Sequence, residues 1–180
     1  DSATLVNKGF EVIEAHWLFG MELERIEVVI HRQSIVHSLV EYVDGSVVAQ
    51  LGPPDMRLPI QYALTYPERM PAPSIQLDWA RLRKLEFEAP SASKFPCLGL
   101  AQEALRRGGV QPCAFNAADE VAVEAFLGQG IRFTDIAVVI ESAMERMPKA
   151  NASNMEEVLA ADREARRLAA EEVRKRAGKN

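Results

Sequence analysis

Apolar positions recur along this chain with two different periods, and the change of period divides it. In the first segment Val6, Phe10, Ile13 and Trp17 fall at i, i+4, i+7 and i+11. That spacing predicts a helix over 4–19 with this stripe, Trp17 included, turned to a core. Ser2 or Thr4 can cap its start through a side-chain oxygen, and Gly20 is a natural stop. Residues 26–30 form a short β-branched run that reads as a buried strand. Two further apolar, β-prone runs, 35–43 and 46–51, meet at Asp44-Gly45, the strongest short hairpin signal. Gly52-Pro53-Pro54-Asp55 breaks the pattern. A helix is expected over 56–66, with Pro59 tolerated in its first turn. Residues 67–94 read as a connection with one weak strand near 85–87.

After about Phe95 the period is helical throughout. Four helices are expected, over 95–107, 114–127, 134–147 and 154–176, separated by Gly108-Gly109, Gly128-Gln129-Gly130 and Pro148. Short connections between them suggest an antiparallel four-helix bundle. Glu171 and Lys175 are spaced for a surface pair on the last helix. The expected class is therefore α+β. Residues 1–92 then read as part of an α/β domain with a hairpin, mixed sheet and connection, and 93–180 as an all-α four-helix bundle domain.

Composition narrows the functional classes. Of 180 residues, 48% are hydrophobic and 26% charged, enough apolar material for a packed core. The net charge of −5 disfavours nucleic acid and anionic membranes as partners. No apolar run approaches the roughly 18 residues that span a bilayer. The two cysteines, Cys97 and Cys113, lack metal-ligand spacing. With no visible signal peptide, a reducing cytoplasm is the expected location. The chain opens with Asp1 rather than Met and runs almost at once into a helical pattern, so a fragment of a longer protein is expected.

The first helix carries the sharpest chemistry. Asn7 and Glu11 share a face at i, i+4, Lys8 and Glu11 are i, i+3 neighbours, and Ser2 and Thr4 precede them. A helix start offers unpaired N–H groups and the positive end of the dipole, which favours phosphate. Ser and Asn can bond phosphate oxygens, Lys supplies charge, and Glu11 could ligate a divalent cation through oxygen. Gly9 costs about 1 kcal/mol relative to Ala inside a helix, and its lack of a side chain would leave room for a ligand. The same residues also read as a capped surface helix with a Lys8–Glu11 ion pair worth a few tenths of a kcal/mol.

The residues as a string are more specific than their spacing. Ser2-Ala-Thr-Leu-Val-Asn7-Lys8-Gly9-Phe-Glu11-Val-Ile-Glu14-Ala closely resembles the active-site helix of 1-deoxy-D-xylulose-5-phosphate reductoisomerases. The resemblance continues through Ile30-His31-Arg32-Gln33-Ser34-Ile-Val-His37-Ser38 and Asp44-Gly45-Ser46-Val-Val-Ala-Gln50-Leu-Gly52-Pro-Pro-Asp55-Met56-Arg57. Phe95-Pro96-Cys97-Leu98, Asn116-Ala-Ala-Asp119-Glu120 and Ile131-Arg132-Phe133-Thr134-Asp135-Ile136 also match.

That resemblance implies an NADPH-dependent oxidoreductase and isomerase using Mg²⁺ or Mn²⁺. Such an enzyme converts 1-deoxy-D-xylulose 5-phosphate to 2-C-methyl-D-erythritol 4-phosphate in non-mevalonate isoprenoid synthesis. The metal grips substrate oxygens, the carbon skeleton rearranges to an aldehyde, and the nicotinamide delivers hydride to it. By motif match Glu11 is the metal ligand, Ser2 and Asn7 contact the substrate phosphate, and Lys8 and Glu11 act on the substrate. His37 has a supporting catalytic role, against the plain reading of a strand histidine satisfied by hydrogen bonds. Arg32 stands where the family usually has proline, which puts the local loop shape in question. Asp119-Glu120 reads as structural, with Asp119 where the family commonly has Asn. Met56 is expected in the core.

No Gly-rich dinucleotide fingerprint occurs in the chain, so no cofactor-binding residue is assigned and NADPH is expected on a preceding domain. The polypeptide alone is then expected to be inactive, with apolar surface exposed on its hairpin side. A homodimer is implied for the intact protein. The rival class is a non-catalytic dimerisation or binding module that keeps the fold.

Overall fold

A computed structural model describes residues 1–72 and 76–177. Among these the chain forms seven α-helices and one two-stranded antiparallel sheet. They fall into two compact units. One joins Asp1–Val28 to Pro90–Asn180, and the other is Val29–Ala89. The sequence reading divided the chain near residue 92; in the structure the first helix, α1 (Val6–Phe19), groups instead with the helices after Pro90.

The reason lies in Gly9. α1 packs on α4 (Pro96–Arg107) so closely that a Cβ on Gly9 would lie 2.5 Å from the Ala101 Cβ. Gly9 and Ala101 are both buried. The glycine thus serves a helix–helix contact rather than clearing space for a ligand. This contact also rotates the expected stripe. The buried residues of α1 are Val6, Gly9 and Val12, whereas Phe10 and Ile13 are half-buried. Trp17, expected in the core, is 72% exposed because the buried stripe runs through Val6, Gly9 and Val12. Beneath α1, Val12 clusters with Leu23 and Leu98, flanked by Leu5, Ile26, Val28 and Leu105. Gly20, at φ 62°, ends the helix as expected. Residues 26–30 are not a strand. A 3-10 turn, Leu23–Arg25, precedes an extended segment in which, among the described residues, only Ile30 pairs, through a bridge to Glu88.

The remaining helices of this unit are α5 (Gln111–Leu127), α6 (Asp135–Arg146) and α7 (Met155–Ala177), close to the expected bounds. Alanine sets their spacing. Ala117, Ala118 and Ala122 on α5 and Ala161, Ala165 and Ala169 on α7 are all buried, which lets the two backbones approach. Phe115, Ile136, Ile140 and Met144 fill the volume around them. The outer faces are charged. Arg146 reaches Glu171 at 2.5 Å, and Arg167 bonds both Glu164 and Glu171. Glu171 therefore pairs with arginines rather than with Lys175, which instead approaches Glu172.

Asp135 opens α6 from a buried position. It accepts hydrogen bonds from Arg132 Nε at 3.1 Å and Arg176 Nη1 at 3.0 Å, tying α7 to the start of α6. The Arg132 guanidinium beside it, helped by Arg176, holds its carboxyl down to about 2. Asp119 is the converse case. It is 2% exposed on α5, and among the described residues its Oδ1 finds no hydrogen-bond partner. Burial pushes its carboxyl up to about 6. Burial likewise lifts the Cys97 thiol to about 11, with the Asp119 charge adding to the effect.

Among its described residues the second unit buries no hydrophobic side chain fully. Its hairpin pairs β1 (Val36–Glu41) with β2 (Val47–Leu51). Gly45 adopts φ 81° in the turn, and Asp44 Oδ1 accepts from Ser46 N at 2.9 Å, as Asp-Gly predicts. α2 (Arg57–Thr65) has no fully buried residue, and Met56, expected in a core, is 71% exposed. A short helix, α3 (Trp79–Leu82), interrupts the expected connection. Residues 85–87 add no strand beyond the single bridge at Glu88. Leu39, Val40, Tyr42, Val43, Val47 and Val48 of the hairpin are all exposed, Val43 fully, which is the apolar hairpin surface expected from the sequence.

Candidate active site

The start of α1 gathers the predicted polar groups. Leu5, at the N-cap position, takes a left-handed φ of 59°, and Thr4 Oγ1 accepts from the Val6 N–H at 3.4 Å. The first turn contains no acidic residue, so nothing there opposes an anion. Ser2 lies exposed in the turn just before the helix, its carbonyl accepting from Leu5 N. Lys8 Nζ donates to Glu11 Oε2 at 2.6 Å, with the Glu11 side chain half exposed.

Asn7 and Glu11 then continue into a cavity of about 540 Å³ between α1 and α5, lined also by Phe10, Ile13, Glu14, Pro112 and Asn116. Edge-to-face packing of Phe10 on Phe115, centroids 5.3 Å apart, fixes the two helices beside it. One wall therefore carries two carboxylates and an amide from one helix face. Among the described residues no three His, Cys, Asp or Glu side chains gather to hold a metal. Glu11 is a reachable hard-oxygen donor and fits one position of a Mg²⁺ or Mn²⁺ shell, whose other ligands must come from elsewhere.

His37 belongs to the other unit. It is exposed on β1, at the register shift between the Val36–Leu51 and Ser38–Gln50 pairs. A bulge at that point re-aims a side chain. His31 is better anchored: its Nδ1 sits 2.7 Å from the Glu86 carbonyl and its ring stacks on Phe87. Arg32, in the proline's place, pairs with Glu88 at 2.9 Å, so the loop is held by an ion pair. Glu120 is exposed and accepts from Arg166 at 2.6 Å and from Asn116 at 3.3 Å. Glu14 and Asn116 stand in the matched motifs without an assigned role, and Pro112 carries no signal in the sequence. Glu14 was within reach of it, seven residues after Asn7 on the same helical face; the α5 residues join only through the packing.

Residues 51–168 match the family model for the DXP reductoisomerase C-terminal domain. The chain belongs to the DXP reductoisomerase family. It is 61% identical over 173 residues to the 1-deoxy-D-xylulose 5-phosphate reductoisomerase of Cupriavidus necator, covering 96% of this chain and 44% of that protein. The counterpart from Burkholderia lata is 57% identical, with 97% and 44% covered. Among solved structures, the family's Zymomonas mobilis enzyme in complex with NADPH superposes with a TM-score of 0.92 at 48% identity, over 96% of this chain and 46% of that one. A reductoisomerase in complex with NADPH, fosmidomycin and magnesium superposes with a TM-score of 0.89 at 45% identity, over 97% and 45%. The chain thus spans less than half the length of the relatives it matches.

Proposed function

We propose that this chain supplies substrate and metal groups to a reductoisomerase that converts 1-deoxy-D-xylulose 5-phosphate to 2-C-methyl-D-erythritol 4-phosphate with NADPH. The observation that carries the reading is the placement of Asn7 and Glu11 on one cavity wall, with Lys8 bonded to Glu11. It occurs in a sequence 61% identical to a reductoisomerase.

In this reading Ser2 and Asn7 bond the substrate phosphate at the positive end of α1. A bound Mg²⁺ or Mn²⁺ would polarise substrate oxygens. A carboxylate has two oxygens, so Glu11 would offer Oε1 to the cation while Oε2 keeps its bond from Lys8. Lys8 lends its charge to the negative oxygens of the substrate. The ion pair keeps both side chains in place. His37 supports catalysis from its bulged position. Residues 1–92 contribute these groups, and 93–180, as a four-helix bundle, buttress α1. The exposed hairpin surface supports burial against the rest of a full-length protein or a second copy in a cytoplasmic homodimer.

The test joins the preceding part of the C. necator enzyme to Asp1 and follows NADPH oxidation with Mn²⁺ and 1-deoxy-D-xylulose 5-phosphate. The expected result is turnover that falls at least about a hundredfold in Glu11→Gln, the loss of a metal ligand. The 180-residue chain alone is expected to show none. A folded, inactive chimaera would instead favour a dimerisation module that retains the fold.

A further inference from the structure

Resting on that reading, we infer that Asn116 is a substrate-binding residue of the same site, presenting its amide oxygen to a hydroxyl of the bound phosphosugar, with Glu120 as its positioning residue. Three observations lead there. Asn116 lines the α1–α5 cavity opposite Asn7 and Glu11, half-buried on the ridge that also carries Pro112. Its Nδ2 donates to Glu120 Oε1, 3.3 Å away and one turn along α5. Glu120 is itself held from α7, where the Arg166 guanidinium lies 2.6 Å from Oε2; Arg166 in turn is braced by Asp162 at 2.8 Å.

The orientation of an amide is ordinarily ambiguous, because its oxygen and nitrogen are nearly alike in shape. Here the partner decides it. A carboxylate only accepts, so the NH₂ of Asn116 must face Glu120 and the carbonyl oxygen must face away from it. The chain Asp162–Arg166–Glu120–Asn116 thereby fixes an acceptor from behind, without any of the first three lining the cavity. The other polar liners besides the amide of Asn7 are the carboxylates of Glu11 and Glu14. A neutral acceptor among them suits a sugar hydroxyl, because it adds no charge to compete for a cation or repel a phosphate. Apolar Phe10, Ile13 and Pro112 line the same opening and offer no competing hydrogen-bonding side chain.

The test uses the same full-length chimaera, measuring KM and kcat separately. Asn116→Ala is expected to raise KM for 1-deoxy-D-xylulose 5-phosphate about five- to tenfold, the loss of one hydrogen bond, with kcat within about twofold. Glu120→Ala, which releases the amide without removing it, is expected to raise KM about threefold. In the double variant KM should equal that of Asn116→Ala alone, since Glu120 acts only through Asn116. A parent that turns over, with KM unmoved in a folded Asn116→Ala, overturns the inference alone. So do additive effects of the two substitutions. A folded parent without turnover overturns the proposed reaction and this role with it.

Discussion

Replacing Gly9 by alanine tests the contact that positions α1. On helix propensity alone the change should stabilise by about 1 kcal/mol. The structure predicts the opposite sign. The new Cβ would stand 2.5 Å from the Ala101 Cβ, and the next neighbours are the Phe115 ring at 3.8 Å and the Cys97 carbonyl at 3.9 Å. Ordinary carbon contacts lie at about 3.5–4.0 Å, so the helices must separate by roughly 1 Å. Neither methyl can rotate away, since each is fixed to its backbone. Overpacking of this kind costs about 1–3 kcal/mol. Taking the upper part of that range, because backbone must move, leaves a net loss of about 1–2 kcal/mol after the propensity gain. Urea unfolding of the chain followed by far-UV circular dichroism measures it. The double variant Gly9→Ala, Ala101→Gly transfers the methyl across the interface and should return to within about 0.5 kcal/mol of the parent, the two propensity terms cancelling. A single variant as stable as the parent, or more so, would show that α1 and α4 do not meet as described. In the full-length chimaera the same separation would displace Asn7, Lys8 and Glu11 together, so kcat and KM should both worsen.

Asp119→Asn should stabilise at pH 7.5 and not at pH 4. The folded carboxyl is raised to about 6 from an unfolded value near 4, so the folded state favours the proton and stability falls as pH rises between these values. At pH 7.5 the penalty relieved is about 2–3 kcal/mol, read by urea unfolding at the two pH values; equal effects at both would refute it. Asp135 has the reverse dependence. Its carboxyl is held at about 2, so its stabilisation is present above pH 4 and lost as pH falls toward 2. Asp135→Asn should cost roughly 2 kcal/mol at neutral pH by weakening the bonds to Arg132 and Arg176, with the loss shrinking in acid. A thiol reagent should modify half-buried Cys113 well before buried Cys97, whose thiol is raised to about 11; mass spectrometry of a partly labelled sample gives the order. Val43→Lys and Val48→Lys should reduce self-association of the isolated chain in sedimentation, with little change in its unfolding midpoint.

The elements legible in the sequence are those with strong local signals. Asp44-Gly45 placed the hairpin turn, and the glycine and proline breaks placed α4 to α7 within a few residues. Asn7, Lys8 and Glu11 were legible as a group because one helical turn brings them together. What failed depended on distant packing. Trp17 fits the stripe by period, yet α4 meets α1 at Gly9, and a glycine carries no hydrophobic signal to mark the true centre of the face. Residues 26–30 have the composition of a buried strand but, among the described residues, find only one bridging partner, at Glu88. Asn116 and Pro112 could not be joined to Asn7 by spacing, since roughly a hundred residues separate them and only the α1–α5 packing closes the gap.

The pairing of Gly9 with Ala101 also sets an order of events on the ribosome. α1 is made before the surface it docks on, which follows about ninety residues later, beyond the whole of the Val29–Ala89 unit. At typical synthesis rates of about 5–20 residues per second, its apolar stripe waits roughly 5–20 s for a partner. The polar groups at its start cannot be held in place before then, so a nascent chain stalled ahead of α4 should bind neither cation nor phosphosugar through them.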